Sequence, residues 1–509
     1  MKLSLRILFA FLCVSILFCN SAMSFEPIDK KGEEMVKSRL IPYPQKIELG
    51  NKDVVLDKNL KVEIRIADKK GAKDVQNAVA KRFSSWFKSE PKIKIAMDPE
   101  GYQIDASEGS LILQANDLAG IRYAMSSIRQ MAEALPGTKT VQGWFIPEMK
   151  VDDYPLLKFR GIHLCWFPET QPARIEQAIR IAAYYKFNYA VIELWGVYPY
   201  KALPEFAWAE YKIQEEDIRA LVRLSKELGI RLIPQFNLFG HASASRGSTG
   251  KHVLLDFHPE FISLFEPDGW TWCLSNPETR KILDAIVLEL MDLYDNPEYF
   301  HMGCDEASSA GTCKVCRSSD YNEILYNHLI HFRDLLAAKK ARPMLWHDML
   351  INSGDPRWRG YTACGGKHTD QLTSRLPKDF IICDWQYSAP KKGDTWPTMD
   401  YFNEKGFDLI ACPWTNVPGI VSQAKKAAAN KYMGVLCTTW HHFYGRNMFQ
   451  MLTSGSISLW GPERPFRLNV HDIFQYHLRQ VGWEMKNRKY SELGSFDLQV
   501  PARTIGPSY

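Results

Sequence analysis

From Phe159 onward the sequence repeats one unit eight times: a short apolar run, then a stretch with helical periodicity. The runs are Phe159–Leu164, Tyr189–Leu194, Arg231–Phe236, Tyr299–Gly303, Pro343–Trp346, Phe380–Cys383, Asp408–Cys412 and Gly434–Thr438. Runs this short without regular polar alternation fit strands buried on both faces, as in parallel sheets covered by helices. Between them, Ile175, Ala178, Ile179, Ala182 and Ala183 mark a one-sided helix. Ile218 to Leu228 form another, closed by Gly229. Ser275-Asn276-Pro277-Glu278 opens a third, with a capping side chain, a first-turn proline and an acid at the positive end of the dipole. Tyr321–Lys339, Ile420–Asn430 and Asp472–Gln480 supply three more. Eight such repeats without a dinucleotide glycine fingerprint predict a (β/α)8 TIM barrel, class α/β, rather than an open sheet.

The barrel is expected over residues 151–490, with a polar tail over 491–509. Residues 25–150 read as a smaller α+β domain, with strands at Val54–Leu56, Leu60–Ile66 and Ser110–Gln114 and helices near Val75–Phe87 and Ala119–Leu135. Leu60, Val62, Ile64 and Ile66 alternate with polar residues, the period of a half-buried strand. The break falls at Asp152-Asp153-Tyr154-Pro155.

Residues 1–24 have the pattern of a cleaved export leader: Lys2 and Arg6, a 13-residue run from Ile7 to Cys19 broken only by Ser15, then small residues about Met23. The run is shorter than the roughly 20 residues that span a bilayer. A soluble periplasmic or extracellular protein without a membrane span is expected. The net charge is +5, and +3 without Lys2 and Arg6, too little to suggest a nucleic-acid partner. Nine cysteines remain after the leader, so at least one is free or paired externally. Cys313-Lys-Val-Cys316 is the one close pair. It reads as half a zinc site, a redox pair or a local disulfide; export and the absence of a second such pair favour the disulfide.

A barrel of this kind works at the C-terminal ends of its strands. Six tryptophans stand at those eight ends: Trp166, Trp195, Trp346, Trp385, Trp414 and Trp440. An indole is a flat apolar wall that suits the C–H faces of a pyranose, while polar side chains take its hydroxyls. At the fourth end stands Asp305-Glu306. Adjacent side chains on a strand face opposite ways, so both reach one cavity only where the chain turns. Ser308, Ser309 and Gly311 support a turn. Two neighbouring carboxylates do not both ionise cheaply, so one is suited to act as a general acid. His241, His347, His441 and His442 lie nearby without a metal-ligand spacing, so hydrogen bonding is expected of them; neither metal nor cofactor is expected.

These residues together resemble glycoside hydrolase family 20, the β-N-acetylhexosaminidases. Phe300-His-Met-Gly-Cys-Asp-Glu306 resembles the family's H-x-G-x-D-E signature, and Ile233-Pro-Gln-Phe-Asn-Leu-Phe-Gly-His241 its I-P-E-x-D-x-P-G-H. Arg160-Gly161 and Asn188 fit its first two strands, and Leu40-Ile-Pro-Tyr-Pro-Gln45 with Asn116–Ala124 fits its accessory domain. The resemblance implies exo-acting removal of a β-linked N-acetylhexosamine from an oligosaccharide or glycoconjugate, with retention and with the 2-acetamido group as nucleophile. It implies Glu306 as acid and base, Asp305 as the partner of the acetamido group, and Arg160 on the O3/O4 hydroxyls. Trp346, Trp385 and Trp440 would wall the sugar, with Trp414 and Tyr387 in the same pocket, Tyr387 on the acetamido oxygen.

Some family acids are replaced: Gln235 and Asn237 stand in the third-strand motif and Cys165 closes the first strand, so His241 is expected to lack a carboxylate partner. His442 stands where the family often has a glutamate, and a cationic His442 would suit a sugar modified by an anionic group near C6. Two other readings stay open: a glycosidase on sugars lacking the acetamido group, with Asp348 or Glu193 as nucleophile, and a non-catalytic glycan-binding protein.

Overall fold

A computed structural model describes residues 26–66, 92–94, 100–134, 143–168, 170–207, 212–242, 254–366, 369–388, 395–440, 445–461 and 471–483. The leader, the helix expected near Val75–Phe87, His441, His442 and the tail lie outside the described residues.

The eight expected runs become eight parallel strands: Phe159–Trp166, Tyr189–Leu194, Arg231–Gln235, Tyr299–His301, Arg342–Trp346, Ile381–Trp385, Asp408–Cys412 and Gly434–Cys437. Each pairs with the next, and the last pairs with the first, Gly434 opposite Phe159, so the sheet closes into a barrel. A Cβ at Gly434 would stand 2.0 Å from the Phe159 carbonyl oxygen, so glycine is what lets the seam shut. Two cores follow from the alternation of side chains along each strand. Phe159, Val191, Ile233, Met344, Ile381, Ile410 and Leu436 fill the interior. Ile162, Ile192, Leu345, Ile382, Leu409 and Val435 pack outward against the helices.

The helices form where the periodicity places them, at Pro172–Tyr184, Glu215–Leu228, Pro277–Leu293, Tyr321–Ala338, Val417–Ala429 and His471–Trp483. Asn276 caps the third by accepting from the Glu278 N–H, and Gly229 ends the second in a left-handed conformation (φ 80°). Thr369–Arg375, Pro397–Glu404 and Gly445–Trp460 were not anticipated; the first two are under three turns long, too short for a clear stripe.

The smaller unit is a mixed sheet in the order Lys46–Leu56, Trp144–Asp153, Tyr102–Ser107, Ser110–Ala115, Lys61–Ile66, Lys92–Lys94. The helix Leu118–Met131 buries Ile121, Ala124 and Ile128 in that unit's core. The strand Trp144–Asp153 crosses the boundary expected at residue 150, and its last residue holds the two units together. Asp153 and Lys186 form a fully buried ion pair at 3.0 Å. The Tyr102 hydroxyl donates to Asp153 Oδ2 (2.6 Å), and the Trp460 indole N–H and Gln45 N–H donate to Oδ1 (2.8 and 2.7 Å). The Lys186 ammonium lies 4.5 Å from the centre of the Trp460 ring. A buried pair is tolerable only with its remaining valences filled, as they are here.

Arg160 belongs to this junction. It sits at the start of the first barrel strand, where its guanidinium donates to the Lys186 and Leu157 carbonyls (2.9 and 2.7 Å), the Tyr123 hydroxyl (2.7 Å) and Glu100 (3.1 Å). The role on substrate hydroxyls is therefore corrected: Arg160 is at the opposite end of its strand from Asp305-Glu306, buried, with its donors taken.

Lys186→Met should strand the Asp153 carboxylate and cost about 3–5 kcal/mol, read as a lower urea midpoint. Adding Asp153→Leu should recover part of that loss; a double variant no better than the single one would show that the pair does not act as a unit.

Candidate active site

The fourth barrel strand is only three residues long, and the chain turns sharply after it. Gly303, Cys304 and Glu306 all have left-handed backbones (φ 65°, 71° and 45°). This turn brings the carboxylates of Asp305 and Glu306, which an extended strand would point apart, onto one atom. His241 Nε2 stands 3.3 Å from Asp305 Oδ2 and 3.1 Å from Glu306 Oε2. The expectation that His241 lacks a carboxylate is corrected: it meets two, both from the neighbouring strand end, while Asn237 turns inward to Glu193 (2.7 Å).

Each left-handed non-glycine residue costs about 1–2 kcal/mol. His241, Thr415 and Trp440, on three other strand-end loops, adopt the same conformation (φ 54°, 46° and 50°). Strain concentrated on one rim persists only where surrounding contacts over-determine it. Here the Glu306 N–H donates to Asp348 Oδ2 (2.9 Å), and the Trp270 indole N–H to the Glu306 carbonyl (2.7 Å). Close backbone approach does the rest: a Cβ at Gly240 would lie 1.9 Å from the Asp305 carbonyl oxygen, and one at Gly303 1.9 Å from Asn237 Oδ1.

The two acids differ in environment. The Asp305 side chain is 5% exposed and that of Glu306 47%, so one is walled in while the other faces the opening. Beneath them Asp348 is buried; it also accepts the Trp385 indole N–H (3.1 Å). Burial, and next the charge of Asp305, push the Asp348 carboxyl up to about 6.

Aromatic rings surround the acids. Tyr387 stacks on Trp385 at 4.9 Å and meets Trp414 and Trp440 edge-on at 5.2 and 6.2 Å. Trp346 lies 5.4 Å from Trp440 and 4.2 Å from the His301 ring. Burial drives the His301 pKa down to about 3, so this ring is neutral, and its Nδ1 accepts the Gly303 N–H (3.1 Å). Burial and then Asp305 raise the Tyr387 phenol well above its usual value, keeping it a donor. The Trp346 and Trp414 indole N–H groups are buried without an acceptor among the described residues, and a bound carbonyl or hydroxyl would satisfy such donors.

The structure thus groups Asp305, Glu306, His241, Trp346, Trp385, Tyr387, Trp414 and Trp440 at one end of the barrel. His442 lies outside the described residues. Trp166 packs outward under the helices. His347 is buried behind the rim, bonded to the Thr362 carbonyl (3.0 Å). Glu193 is buried in the barrel with His163 (3.2 Å) and Asn237, and both Asp348 oxygens are occupied, which argues against either carboxylate as a nucleophile. The sequence reading missed Trp270, whose ring lies 4.3 Å from that of His241 in a tilted arrangement, on a long loop without periodicity. It also missed Asp348 as the anchor of Glu306. Among the described residues, three groups place potential metal ligands within 4.8 Å of one another: Glu266, Cys273, Cys313 and Cys316; His163, Cys165 and Glu193; and His241, Asp305 and Glu306.

Comparison with known proteins agrees with this architecture. Residues 153–455 match the model of glycosyl hydrolase family 20, catalytic domain, and residues 37–154 that of its domain 2. A chitooligosaccharidolytic β-N-acetylglucosaminidase of Ostrinia furnacalis is 22% identical over 402 residues, 69% of this chain and 64% of that protein. Human hexosaminidase D is 26% identical over 174 residues, 32% of this chain and 34% of that protein. The chain thus spans less than two thirds of the length of these relatives. Among solved structures, Flavobacterium johnsoniae chitobiase superposes with a TM-score of 0.63 at 18% identity, covering 91% of this chain and 74% of that one. Bacteroides fragilis β-N-acetylhexosaminidase gives 0.61 at 16%, covering 90% and 98%.

Gly240→Ala should separate His241 from the two acids while leaving the barrel intact, lowering turnover by about 100-fold with an unchanged circular dichroism spectrum; undiminished turnover would show the close approach to be dispensable. Asp348 gives a second test. Its unfolded pKa is about 4, so between about pH 4 and pH 6 the folded chain holds a proton that the unfolded chain has released. Its contribution to stability therefore falls as pH rises through that window, by at most about 1.4 kcal/mol per pH unit. Since Asp348→Asn does not ionise, the stability of wild type minus that of the variant should shrink over this range in urea titrations; a constant difference would contradict the assignment.

Proposed function

Because the chain belongs to glycosyl hydrolase family 20, we propose that it is an exo-acting hydrolase that releases a terminal β-linked N-acetylhexosamine with retention of configuration. One observation carries the reading: an open carboxylate, Glu306, beside a walled-in one, Asp305, within a cup of indoles. The hydrolases and β-N-acetylglucosaminidases among its relatives support the same chemistry.

In the reaction, the Glu306 carboxyl gives its proton to the glycosidic oxygen as the bond from that oxygen to the anomeric carbon breaks. The carbonyl oxygen of the sugar's 2-acetamido group attacks the same carbon and forms an oxazolinium ring. Asp305 accepts the acetamido N–H, which aims the carbonyl, and its negative charge offsets the positive charge that develops on the ring. Glu306, now a carboxylate, takes a proton from water; the oxygen attacks the anomeric carbon and the ring opens. The nucleophile arrives already tethered, so a single exposed protein acid suffices. His241, hydrogen-bonded to Glu306 and 3.3 Å from Asp305, is a positioning residue. The leader-like pattern of residues 1–24 supports action outside the cytoplasm, on oligosaccharides or glycoconjugates.

Aryl β-N-acetylglucosaminide or β-N-acetylgalactosaminide should be hydrolysed with the β-anomer appearing first by proton NMR, and thiazoline mimics of the oxazolinium ring should inhibit. Glu306→Gln should reduce kcat/KM by about 10³-fold or more and Asp305→Asn by about 10²-fold. Equal turnover of glycosides lacking the acetamido group would overturn the mechanism, and ligand binding without turnover would favour a glycan-binding protein.

A further inference from the structure

Three thiols and a carboxylate meet behind the active-site rim. They come from two separate segments, the loop before the helix Pro277–Leu293 and the loop that follows Glu306. Cys273 Sγ lies 3.7 Å from Cys313 Sγ and 3.9 Å from Cys316 Sγ. The ligand atoms of Glu266, Cys273, Cys313 and Cys316 all fall within 4.8 Å of one another. Sulfurs joined in a disulfide would be about 2.05 Å apart. Thiolates at 2.3 Å from a tetrahedral zinc stand about 3.8 Å apart, the spacing seen here. We propose that Cys273, Cys313, Cys316 and Glu266 bind a zinc ion.

The surroundings are those of a closed, structural site. Glu266 is fully buried, and its carboxylate is oriented by the N–H groups of Gly311 and Cys313 (3.3 and 2.6 Å) and by the Thr312 hydroxyl (3.3 Å). The Cys316 N–H donates to Cys313 Sγ (3.3 Å), an arrangement that stabilises a thiolate within a C-x-x-C turn. Ser275 stands beside Cys316 Sγ at 3.1 Å. Outer contacts of this kind fix ligands and tune a metal site. Four protein ligands leave no position open for a substrate, which assigns the ion to architecture rather than to chemistry. Sequence spacing exposed only Cys313 and Cys316; Cys273, distant in the chain, is what the fold adds.

The site clamps together the two segments that support Glu306. Trp270, three residues before Cys273, donates to the Glu306 carbonyl, and the Ser309 hydroxyl, three residues after Glu306, donates to Thr271 Oγ1 (2.9 Å). An ion joining Cys273 to Cys313 and Cys316 closes that bracket. Losing it should slacken the general acid while leaving the barrel strands paired.

The test uses the full chain, produced in zinc-supplemented medium and purified without a metal-affinity resin. Elemental analysis should find about one zinc per chain. Titrating the thiols with an organomercurial should release it to a colorimetric indicator. Reconstitution with cobalt should give thiolate-to-cobalt charge-transfer absorption, which the other two ligand groups, holding one thiol between them, would give only weakly. Cys273→Ser and Cys313→Ser should each retain at least about tenfold less zinc against a mild chelator, with a fall in Tm. Should these variants fail to fold, the metal content and cobalt spectrum of the wild-type chain still decide. Absence of zinc after reconstitution would overturn the proposal. So would a disulfide between any two of the three cysteines in non-reduced peptides, or undiminished zinc in a Cys313→Ser/Cys316→Ser double variant. None of these readouts depends on the proposed hydrolase activity.

Discussion

Everything at the working end of this protein depends on the closure of one parallel sheet. Parallel strands of a single sheet all run the same way, so when Gly434 meets Phe159 and the last strand joins the first, eight carboxyl ends are gathered on one circle. Residues far apart in sequence then become neighbours without any contact having been made for its own sake. His241, Asp305, Asp348, Trp385 and Trp440 come from five different strand ends. An open sheet would spread the same side chains along a line. The barrel instead fixes them around an opening, and the strained loops decide how far each leans inward.

The rim itself is organised by anchoring. Asp348 holds the Glu306 backbone with one oxygen and Trp385 with the other, so a single buried carboxylate sets the distance between the open acid and one wall of the cup. His241 binds the two acids together from the opposite side. Two glycines, Gly240 and Gly303, remove the side-chain bulk that would hold these loops apart. The strain of five left-handed residues is thus distributed over hydrogen bonds and close packing rather than carried by one element.

Much of the fold was legible because its signals are local. Each apolar run forms a strand with ends displaced by no more than two residues, and the helix starting at Asn276 and the one ending at Gly229 carry their own caps. In the smaller unit, Tyr102–Ser107 is less legible: Tyr102, Ile104 and Ala106 alternate with polar residues, but aspartate and alanine are poor strand formers and the segment is only six residues long. The site was less legible, since its decisive relations are between distant residues. The pairing of Asp305 with Glu306 is visible in the sequence; the imidazole beside them is not, because Gln235, Asn237 and Cys165 offer it no carboxylate and the two acids that meet it follow a different strand. Arg160 misled for a related reason: an arginine beside a glycine at a strand start says nothing of which end of the strand its guanidinium serves. Here it runs to Glu100 and Tyr123 of the smaller unit.

Trp460 crosses from one unit to the other: it ends a helix that packs on the barrel, yet its ring lies in the core of the smaller unit. With Lys186 and Asp153 it makes a joint in which each partner is buried by the others. The consequence is one of inheritance. Neither unit is a free-standing part to be exchanged between chains, because a graft that brought one without the other would expose an indole and leave an ammonium with no counter-charge. Recombination can move this pair only as a single cassette, with its seam included.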